Sequence, residues 1–529
     1  MKGANVIDPS KTVRSLCAAL RARVRIDTRT LAVFRLGVAM LILADLFLRA
    51  RNFSLFYTDQ GVVPQSLATE AAPVDVWSVY FVSTEPAVTA ALFVLQGLLA
   101  VQLLVGYRTR IATVLSLVFV VSLDLRNPLV LSYADVLFWW LLFWAIFLPL
   151  DERWSIDAVH ADRQPRDAVA NPASALILLQ MITMYVVNGY HKSQSELWTS
   201  GEAAILVLGL DDMTFLLADL VGSVPSLLQY GGLAWYYMLL FSWLLVLARG
   251  RTRTALVSLF MFAHLSFAVT VRIGAFAFVA IAGLCLFLQS SFWNDLEALS
   301  KRIGVPAAAD SAHRSRLEAI ATSVPRWRLG IGTSAWIPRE PRKIAVTVAV
   351  AVFTLVALVS ILSAGGLVDD DAASIDGAER GVAAFVDHQT EWSIFAPTPR
   401  TSARYYVFPA ETEAGDQVDV YNDRPLTYER PDGELQKQYD TYRERFYMNS
   451  VSAAAPPDAP TELAEHICTE WNTARSDELT HVNMYLVEET VTLETAQTPA
   501  ERDSTARQFY THGCGDNEPK DVGPPSALE

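Results

Sequence analysis

Residues 31–48, LAVFRLGVAMLILADLFL, form an apolar run that only Arg35 and Asp45 interrupt. A helix of about 20 such residues crosses the hydrocarbon core of a bilayer. Similar runs recur along the 529 residues, which are 52% hydrophobic with a mean hydropathy of +0.27. Soluble domains rarely sustain this composition over such a length. The sequence therefore predicts an all-α polytopic membrane bundle.

The apolar runs predict about nine transmembrane helices. The predicted spans are residues 31–48, 86–106, 111–126, 133–150, 173–191, 229–248, 254–271, 273–290 and 344–364. The run 202–222 is also apolar, but it contains Asp211, Asp212 and Asp219. Charges near the bilayer centre are costly. We therefore expect residues 202–222 to form an interfacial or re-entrant helix on the outer face.

Basic residues predict the orientation of these spans, because Lys and Arg accumulate in cytoplasmic loops. The N-terminal segment, the loop 107–110, the loop 249–253 and the segment 291–343 are rich in Lys and Arg. All four fall on the cytoplasmic side if the N-terminus is inside. The first thirty residues have neither an apolar core nor a small-residue cleavage site, so no cleaved signal peptide is expected.

The net charge of −14 divides into two opposite parts. Residues 366–529 carry 32 Asp and Glu against 12 Lys and Arg, a net −20, and residues 1–365 carry 24 against 30, a net +6. This split predicts a small acidic α+β extracytoplasmic domain after the membrane bundle. Such a surface is typical of halophilic proteins, and it argues against nucleic acid as a partner.

The sequence thus predicts six successive regions. They are a basic cytoplasmic segment (1–28), a transmembrane domain (29–295), a basic cytoplasmic linker (296–343), a last transmembrane helix (344–365), the acidic extracytoplasmic domain (366–515) and a disordered tail (516–529). Cys468 and Cys514 both lie in the acidic domain. They could pair if this domain faces an oxidising exterior.

No motif of a soluble enzyme is present: the chain lacks a phosphate-binding loop, a dinucleotide glycine fingerprint, HExxH and paired CxxC. The candidates for chemistry are polar residues in or beside the spans. Lys192 at the outer end of a span is either an interfacial anchor or an amine that acts as a base once it is withdrawn from water. His264, in mid-span, is either a packing hydrogen-bond partner or a functional group.

Three further charges allow two interpretations each. Arg35 either snorkels or pairs with another helix, and Asp45 either pairs with Arg49 at the outer interface or faces the bundle. Arg272 either anchors its helix or holds an anionic ligand. With only eight histidines, scattered along the chain, no metal site is expected.

Five motifs follow one another between residues 28 and 295, and a sixth lies in the tail. They are LAVFRLGVAMLILADLFLR, GYRTR, ERWSIDA, YVVNGYHKSQSELWTSG, FAHLSFAVTVRIGAF and, at 392–399, WSIFAPTP. Their order resembles that of the superfamily containing the vitamin K-dependent gamma-carboxylase and the HTTM (horizontally transferred transmembrane) domain. In the carboxylase, a lysine in the matching stretch deprotonates vitamin K hydroquinone, and Lys192 takes that position.

The resemblance implies carboxylase-like, quinol-linked proton abstraction at the outer membrane face. Lys192 and His264 would be the catalytic residues, and the cofactor would be a lipid-soluble quinol of the menaquinol or vitamin K type. The residues expected to bind it are His191, Asn188, Trp198 and Arg272. A functional histidine of the carboxylase has no counterpart here, since no histidine lies between Asp124 and Trp139.

Two other functions remain open. The chain is alternatively a non-catalytic membrane anchor or receptor-like scaffold that presents the acidic domain to a protein partner. A small-molecule transporter is a weaker alternative, because the internal repeat that transporters show is not found. In each case the expected location is the cell membrane, with the N-terminus cytoplasmic and the C-terminal domain outside.

Overall fold

The computed structural model describes residues 9–72, 77–304, 318–326, 392–431 and 433–524. Its helices in chain order are α1 (Pro9–Arg23), α2 (Thr28–Arg51), α3 (Phe53–Tyr57), α4 (Gln65–Ala71), α5 (Pro86–Val105), α6 (Thr109–Arg126), α7 (Tyr133–Ala145), α8 (Ile156–Ala161), α9 (Pro172–Ser193), α10 (Glu196–Ser200), α11 (Ala203–Leu208), α12 (Ala218–Gly222), α13 (Pro225–Leu240), α14 (Leu244–Leu247), α15 (Gly250–Thr270), α16 (Phe276–Cys285), α17 (Ser290–Arg302), α18 (Tyr442–Ser452) and α19 (Ala459–Ala474).

Four of the described helices, α2, α5, α9 and α15, are long and apolar enough to cross a membrane. A fifth span results if α16 and α17, which meet at a bend of 95°, are counted together. The described residues therefore contain four or five candidate spans rather than the eight predicted within them. The ninth prediction, 344–364, lies outside the described residues.

Local chemistry explains where predicted spans are shorter than expected. The predicted span 133–150 contains Pro149, and α7 ends at Ala145, because proline cannot continue a helix. The predicted span 229–248 is divided between α13 and α14. Hydropathy measures apolar composition, but the length of a helix also depends on where the helix is interrupted. A prediction from hydropathy alone therefore overestimates the length of these two spans.

The run 202–222 forms two short helices, α11 and α12, with turns between them. Two of its three aspartates bond to the C-terminal region: Arg400 holds Asp212 at 2.6 Å, and Arg430 and Arg502 hold Asp211 at 2.6 and 2.8 Å. The segment thus lies between the helical bundle and the C-terminal region, in place of the one interfacial or re-entrant helix that was predicted.

In the bundle, α9 is the most enclosed of the candidate spans, since 72% of its apolar window is buried. It begins with a capping box formed by Asn171 and Ser174, with Pro172 in the first turn. It packs against α7, α13 and α16. Polar side chains near its C-terminal end are therefore placed inside the protein.

The C-terminal region is built on a six-stranded antiparallel sheet. Its strands are β3 (Ser402–Val407), β4 (Pro409–Thr412), β5 (Gln417–Asp419), β6 (Arg424–Pro425), β7 (Leu479–Thr490) and β8 (Ser504–Gly513), after the short pair β1 (Ile26–Asp27) and β2 (Ala168–Val169). The central strand β7 pairs β3 and β4 along one edge and β8 along the other. Helices α18 and α19 complete an α+β domain (residues 400–524), which we call the external domain after its predicted location.

A disulfide joins Cys468 of α19 to Cys514 just after β8. It closes a loop of 46 residues and ties a helix to the edge of the sheet. The residues after it, predicted to be disordered from 516, lie along the sheet as far as residue 524. There, Asn483 donates to the Lys520 carbonyl and Tyr428 to the Val522 carbonyl, both at 2.9 Å.

Candidate functional site

One face of α9 carries Tyr185, Asn188 and Lys192, which are three and four residues apart. This spacing places the three side chains one above another on a helix. All three are buried, and Lys192 is only 1% exposed. The face thus carries a phenol, an amide and an amine over about 10 Å of helix length.

The Lys192 amine does not point into water. Its Nζ donates to the Ile394 carbonyl at 2.6 Å and to the Phe395 carbonyl at 3.4 Å. It also lies 3.9 Å from the centre of the Trp198 ring, where the π electrons attract a cation. Two carbonyl oxygens and one aromatic face therefore surround the amine.

The carbonyls belong to a short turn that we call the roof segment, residues 392–395. Asn188 donates to its Trp392 carbonyl at 2.6 Å and its Ile394 carbonyl at 3.2 Å. Trp198 donates from Nε1 to the Phe395 carbonyl at 2.8 Å. The roof segment is thus held by three side chains of the α9–α10 region through its main chain.

His264 of α15 is fully buried and pairs with Tyr185. The Tyr185 hydroxyl lies 2.8 Å from His264 Nε2. The other ring nitrogen, Nδ1, is buried and has no hydrogen-bond partner among the described residues. His264 therefore keeps one nitrogen for a further hydrogen bond.

Lys192 and His264 line the same cavity, of about 450 Å³. Its wall is mostly apolar, and its polar side chains include Tyr185, Asn188, Trp198 and Thr270. Trp392, Ile394 and Phe395 close one side. A largely apolar chamber with a few convergent polar groups is the usual form of a small-molecule site.

Two of the predicted site residues are placed elsewhere. His191 and Arg272 are not among the residues that line this cavity. Arg272 instead donates to the external domain, at 3.1 Å to the Tyr439 carbonyl and at 3.0 Å to the Asp440 carbonyl. Its contacts are those of an anchor between the two parts of the molecule.

A second polar centre, the charge cluster, lies where α2, α6 and α7 meet the external domain. Arg49 donates to Asp45 at 2.7 Å, as the outer-interface interpretation of Asp45 predicted, and it also pairs with Asp124. Arg443 of α18 reaches Asp45 at 2.6 Å and Asp135 at 2.9 Å. The charge cluster thus contains three carboxylates and two guanidinium groups.

Several of these residues were missed by the sequence interpretation. Tyr185 could have been found, because it shares a helix face with Lys192. The carbonyls of the roof segment have no side-chain signature, and Arg443 is 398 residues from Asp45. Among the described residues, no group of three or more His, Cys, Asp or Glu side chains could hold a metal ion.

The family model described as HTTM domain matches residues 24–293, slightly more than half of the chain. The chain belongs to the HTTM domain family. No curated protein and no solved structure is detectably similar to it.

The six sequence motifs of this chain meet in two places. At one end, Arg35 donates to the Leu150 carbonyl at 2.9 Å and to the Arg153 carbonyl at 3.1 Å, and Asp157 accepts from the backbone of Arg108 at 2.9 Å. These contacts join the first three motifs. The remaining motifs, which carry Lys192, His264 and the roof segment, meet at the cavity.

Arg35 thus faces the bundle rather than snorkelling. Its partners, however, are main-chain carbonyls and not a charged side chain of another helix. Gly106 makes room for it: with φ of 68°, a Cβ there would lie 2.9 Å from the guanidinium and 2.3 Å from the Ser155 Cβ. The end of the HTTM domain away from the cavity is therefore a close-packed structural joint.

Proposed function

We propose that this HTTM protein binds a lipid-soluble quinol of the menaquinol or vitamin K type in its cavity and exchanges protons with it. The observation that supports this most directly is that Lys192 and a half-satisfied His264 line one apolar chamber. The residues fit such a ring system, because the chamber offers aromatic walls and few competing polar groups. The proposed activity resembles that of the gamma-carboxylase.

The proposed setting is the cell membrane, crossed by about nine spans, with the N-terminus inside and the external domain outside. The four or five candidate spans support a membrane location, and the basic loops that flank them support the orientation, but not the number of spans. The cavity would then lie toward the outer leaflet, because the roof segment, which precedes the external domain in the chain, closes it from that side.

His264 is suited to both forms of the ligand. When Nε2–H is donated to the Tyr185 oxygen, Nδ1 accepts a hydrogen bond from a hydroxyl group. In the other tautomer, Tyr185 donates to Nε2, and Nδ1–H donates to a carbonyl oxygen. Tyr185 therefore supports the imidazole in either tautomer, and the quinol supplies the ionisable hydroxyl group.

Binding is tested with the full-length protein in lipid nanodiscs and a naphthoquinone that carries a short isoprenoid chain. We expect saturable binding that His264→Phe weakens about tenfold, since one hydrogen bond to the ligand is lost. The matched control is His160→Phe, because His160 bonds to the Ala321 carbonyl and does not line the cavity. Equal affinities of the two variants would contradict the proposal.

Proton transfer is tested with Lys192→Arg. Arginine keeps the positive charge but stays protonated at accessible pH, so it cannot act as a base. Any proton release that depends on the quinol should therefore disappear in this variant, while the fold is retained. Proton release at the wild-type rate would remove Lys192 from the proposed chemistry.

A non-catalytic scaffold is the second candidate, and one observation favours it. The Lys192 amine is already occupied by two carbonyls and the Trp198 ring, as a structural cation would be. In this role Lys192 anchors the external domain for presentation to a protein partner. The naphthoquinone experiment separates the candidates, because a scaffold has no reason to bind the quinone.

A further inference from the structure

We propose that the roof segment is a latch: while it is closed its carbonyls occupy the Lys192 amine, and it must withdraw before this amine can bond to a ligand in the cavity. The regulatory consequence rests on the proposed function, but the latch itself is a property of the contacts between α9 and residues 392–395.

The geometry around the amine carries the first step. An ammonium group has three N–H donors and no lone pair. Ile394 and Phe395 provide two carbonyl acceptors, and the Trp198 ring provides a third attractive face. While the roof segment is closed, its two carbonyls and the ring therefore occupy the directions in which the amine could bond to a ligand.

The roof segment has its own attachments, which carry the second step. The Ser393 hydroxyl lies 2.9 Å from the Tyr133 hydroxyl of α7, and neither side chain lines the cavity. Phe395 has a φ of 53°, a left-handed conformation that is unfavourable for a phenylalanine. The turn is thus held in a strained conformation by hydrogen bonds at a few points.

Withdrawal would have two effects at once. It would free the Lys192 amine, and it would remove Trp392, Ile394 and Phe395 from the cavity wall. Release of the amine and access to the chamber from the side of the roof segment are therefore the same event. The free energy of such a local opening depends on how many contacts hold the segment.

The test measures how fast Lys192 reacts with a small acylating reagent in the full-length protein in nanodiscs, by mass spectrometry. Lys437, whose side chain is 69% exposed, is the internal reference. We expect Lys192 to react at least about 100-fold more slowly than Lys437, because only the open state exposes it. Ser393→Ala should raise the Lys192 rate about fivefold, since one hydrogen bond of the closed state is lost.

Ser450→Ala is the matched control, because Ser450 makes another hydrogen bond across the domain boundary, to the Leu129 carbonyl at 3.2 Å. It should leave the Lys192 rate unchanged, and Tyr133→Phe should reproduce the effect of Ser393→Ala. Equal rates for Ser393→Ala and wild type, or Lys192 reacting as fast as Lys437, would overturn the latch. The assay contains no quinone, so a failure to bind quinone overturns the proposed function and leaves this result standing.

Discussion

The charge cluster and the cavity are both polar centres in an apolar bundle, but they satisfy their polar groups differently. In the charge cluster, Arg49 and Arg443 contact three carboxylates, and Trp139 donates to Asp124 at 2.6 Å. In the cavity, polar groups are few, and His264 Nδ1 has no partner among the described residues.

This difference separates two uses of buried polar groups. Charges that neutralise one another hold elements together, and removal of one leaves its partners buried without compensation. A neutral polar group with one unpaired nitrogen costs less free energy to bury than an unpaired charge. The unpaired nitrogen can form a hydrogen bond to a ligand. The cluster is therefore read as a joint, and the cavity as a binding site.

The largest expected effect is that of Arg443→Met, which removes the external domain's charge from the cluster. Asp45 and Asp135 then lose a partner, and we expect the free energy of unfolding to fall by about 3–5 kcal/mol. The thermal midpoint in detergent and the rate of proteolysis of the external domain report this loss. Arg51→Ala, in an exposed pair with Asp440, should cost less than about 1 kcal/mol. A similar loss of unfolding free energy in both variants would show that burial of the charge cluster does not contribute to stability.

A smaller effect is expected for Asn188→Leu, which removes the amide that holds the roof segment. The Trp392 carbonyl loses its donor, so we expect a loss of about 2 kcal/mol in thermal unfolding measurements. Gln194→Leu, exposed at the end of α9, should stay within about 0.5 kcal/mol of wild type. If Asn188→Leu destabilised the protein as much as Arg443→Met, the contrast between joint and binding site would not hold.

Tyr185→Phe sharpens the comparison inside the cavity. It removes the hydroxyl that pairs with His264 Nε2, and we expect a loss of about 1 kcal/mol. The specific readout is the nitrogen NMR signal of His264, whose tautomer balance should change with the lost partner. Tyr237→Phe, on the exposed side of α13, should leave that signal in place. An unchanged His264 signal in Tyr185→Phe would contradict the pairing.

The smallest effect is a pH dependence at the domain boundary. Burial raises the pKa of Glu444, which adjoins Arg443 in α18, to about 7 from the ordinary value of 4.5. The folded protein thus holds a proton that the unfolded chain releases. Stability contributed by this group is complete below about pH 4.5 and is lost as pH rises through about 7.

Glu444→Gln stays neutral, so its stability relative to wild type should increase between pH 4.5 and 7. We expect a gain of about 1 kcal/mol at most, since water partly screens this half-buried carboxylate. Thermal unfolding at several pH values measures it, with the exposed Glu465→Gln as the control. A gain that is the same at all pH values would contradict the titration of Glu444.

Hydropathy predicted α2, α5, α9 and α15 to within a few residues, because long apolar runs have few alternatives to a spanning helix. The aspartates of 202–222 predicted that this run does not cross the membrane, and the run is not among the candidate spans. Pairings between distant parts of the chain could not be predicted in this way. Arg443 and Asp45 meet only after the external domain has folded, and neither residue carries a local signal of the other.

The same limit applies to the cavity. The sequence predicted that Lys192 and His264 are the notable polar residues, and helical spacing would have added Tyr185. The acceptors for Lys192, however, are main-chain carbonyls of residues 394 and 395, and every residue has such a group. The only sequence signal for this turn was the WSIFAPTP motif. The motif did not indicate which residues the turn contacts.

The position of the roof segment along the chain has a consequence for biosynthesis. Helices α9 and α15 leave the ribosome well before residues 392–395, so the chamber is assembled first without its closing wall. During that interval the nascent protein offers an uncovered Lys192 and an open hydrophobic recess to the surrounding lipid. A molecule that enters then would be enclosed once residues 392–395 are in place, so its entry during synthesis needs no later opening.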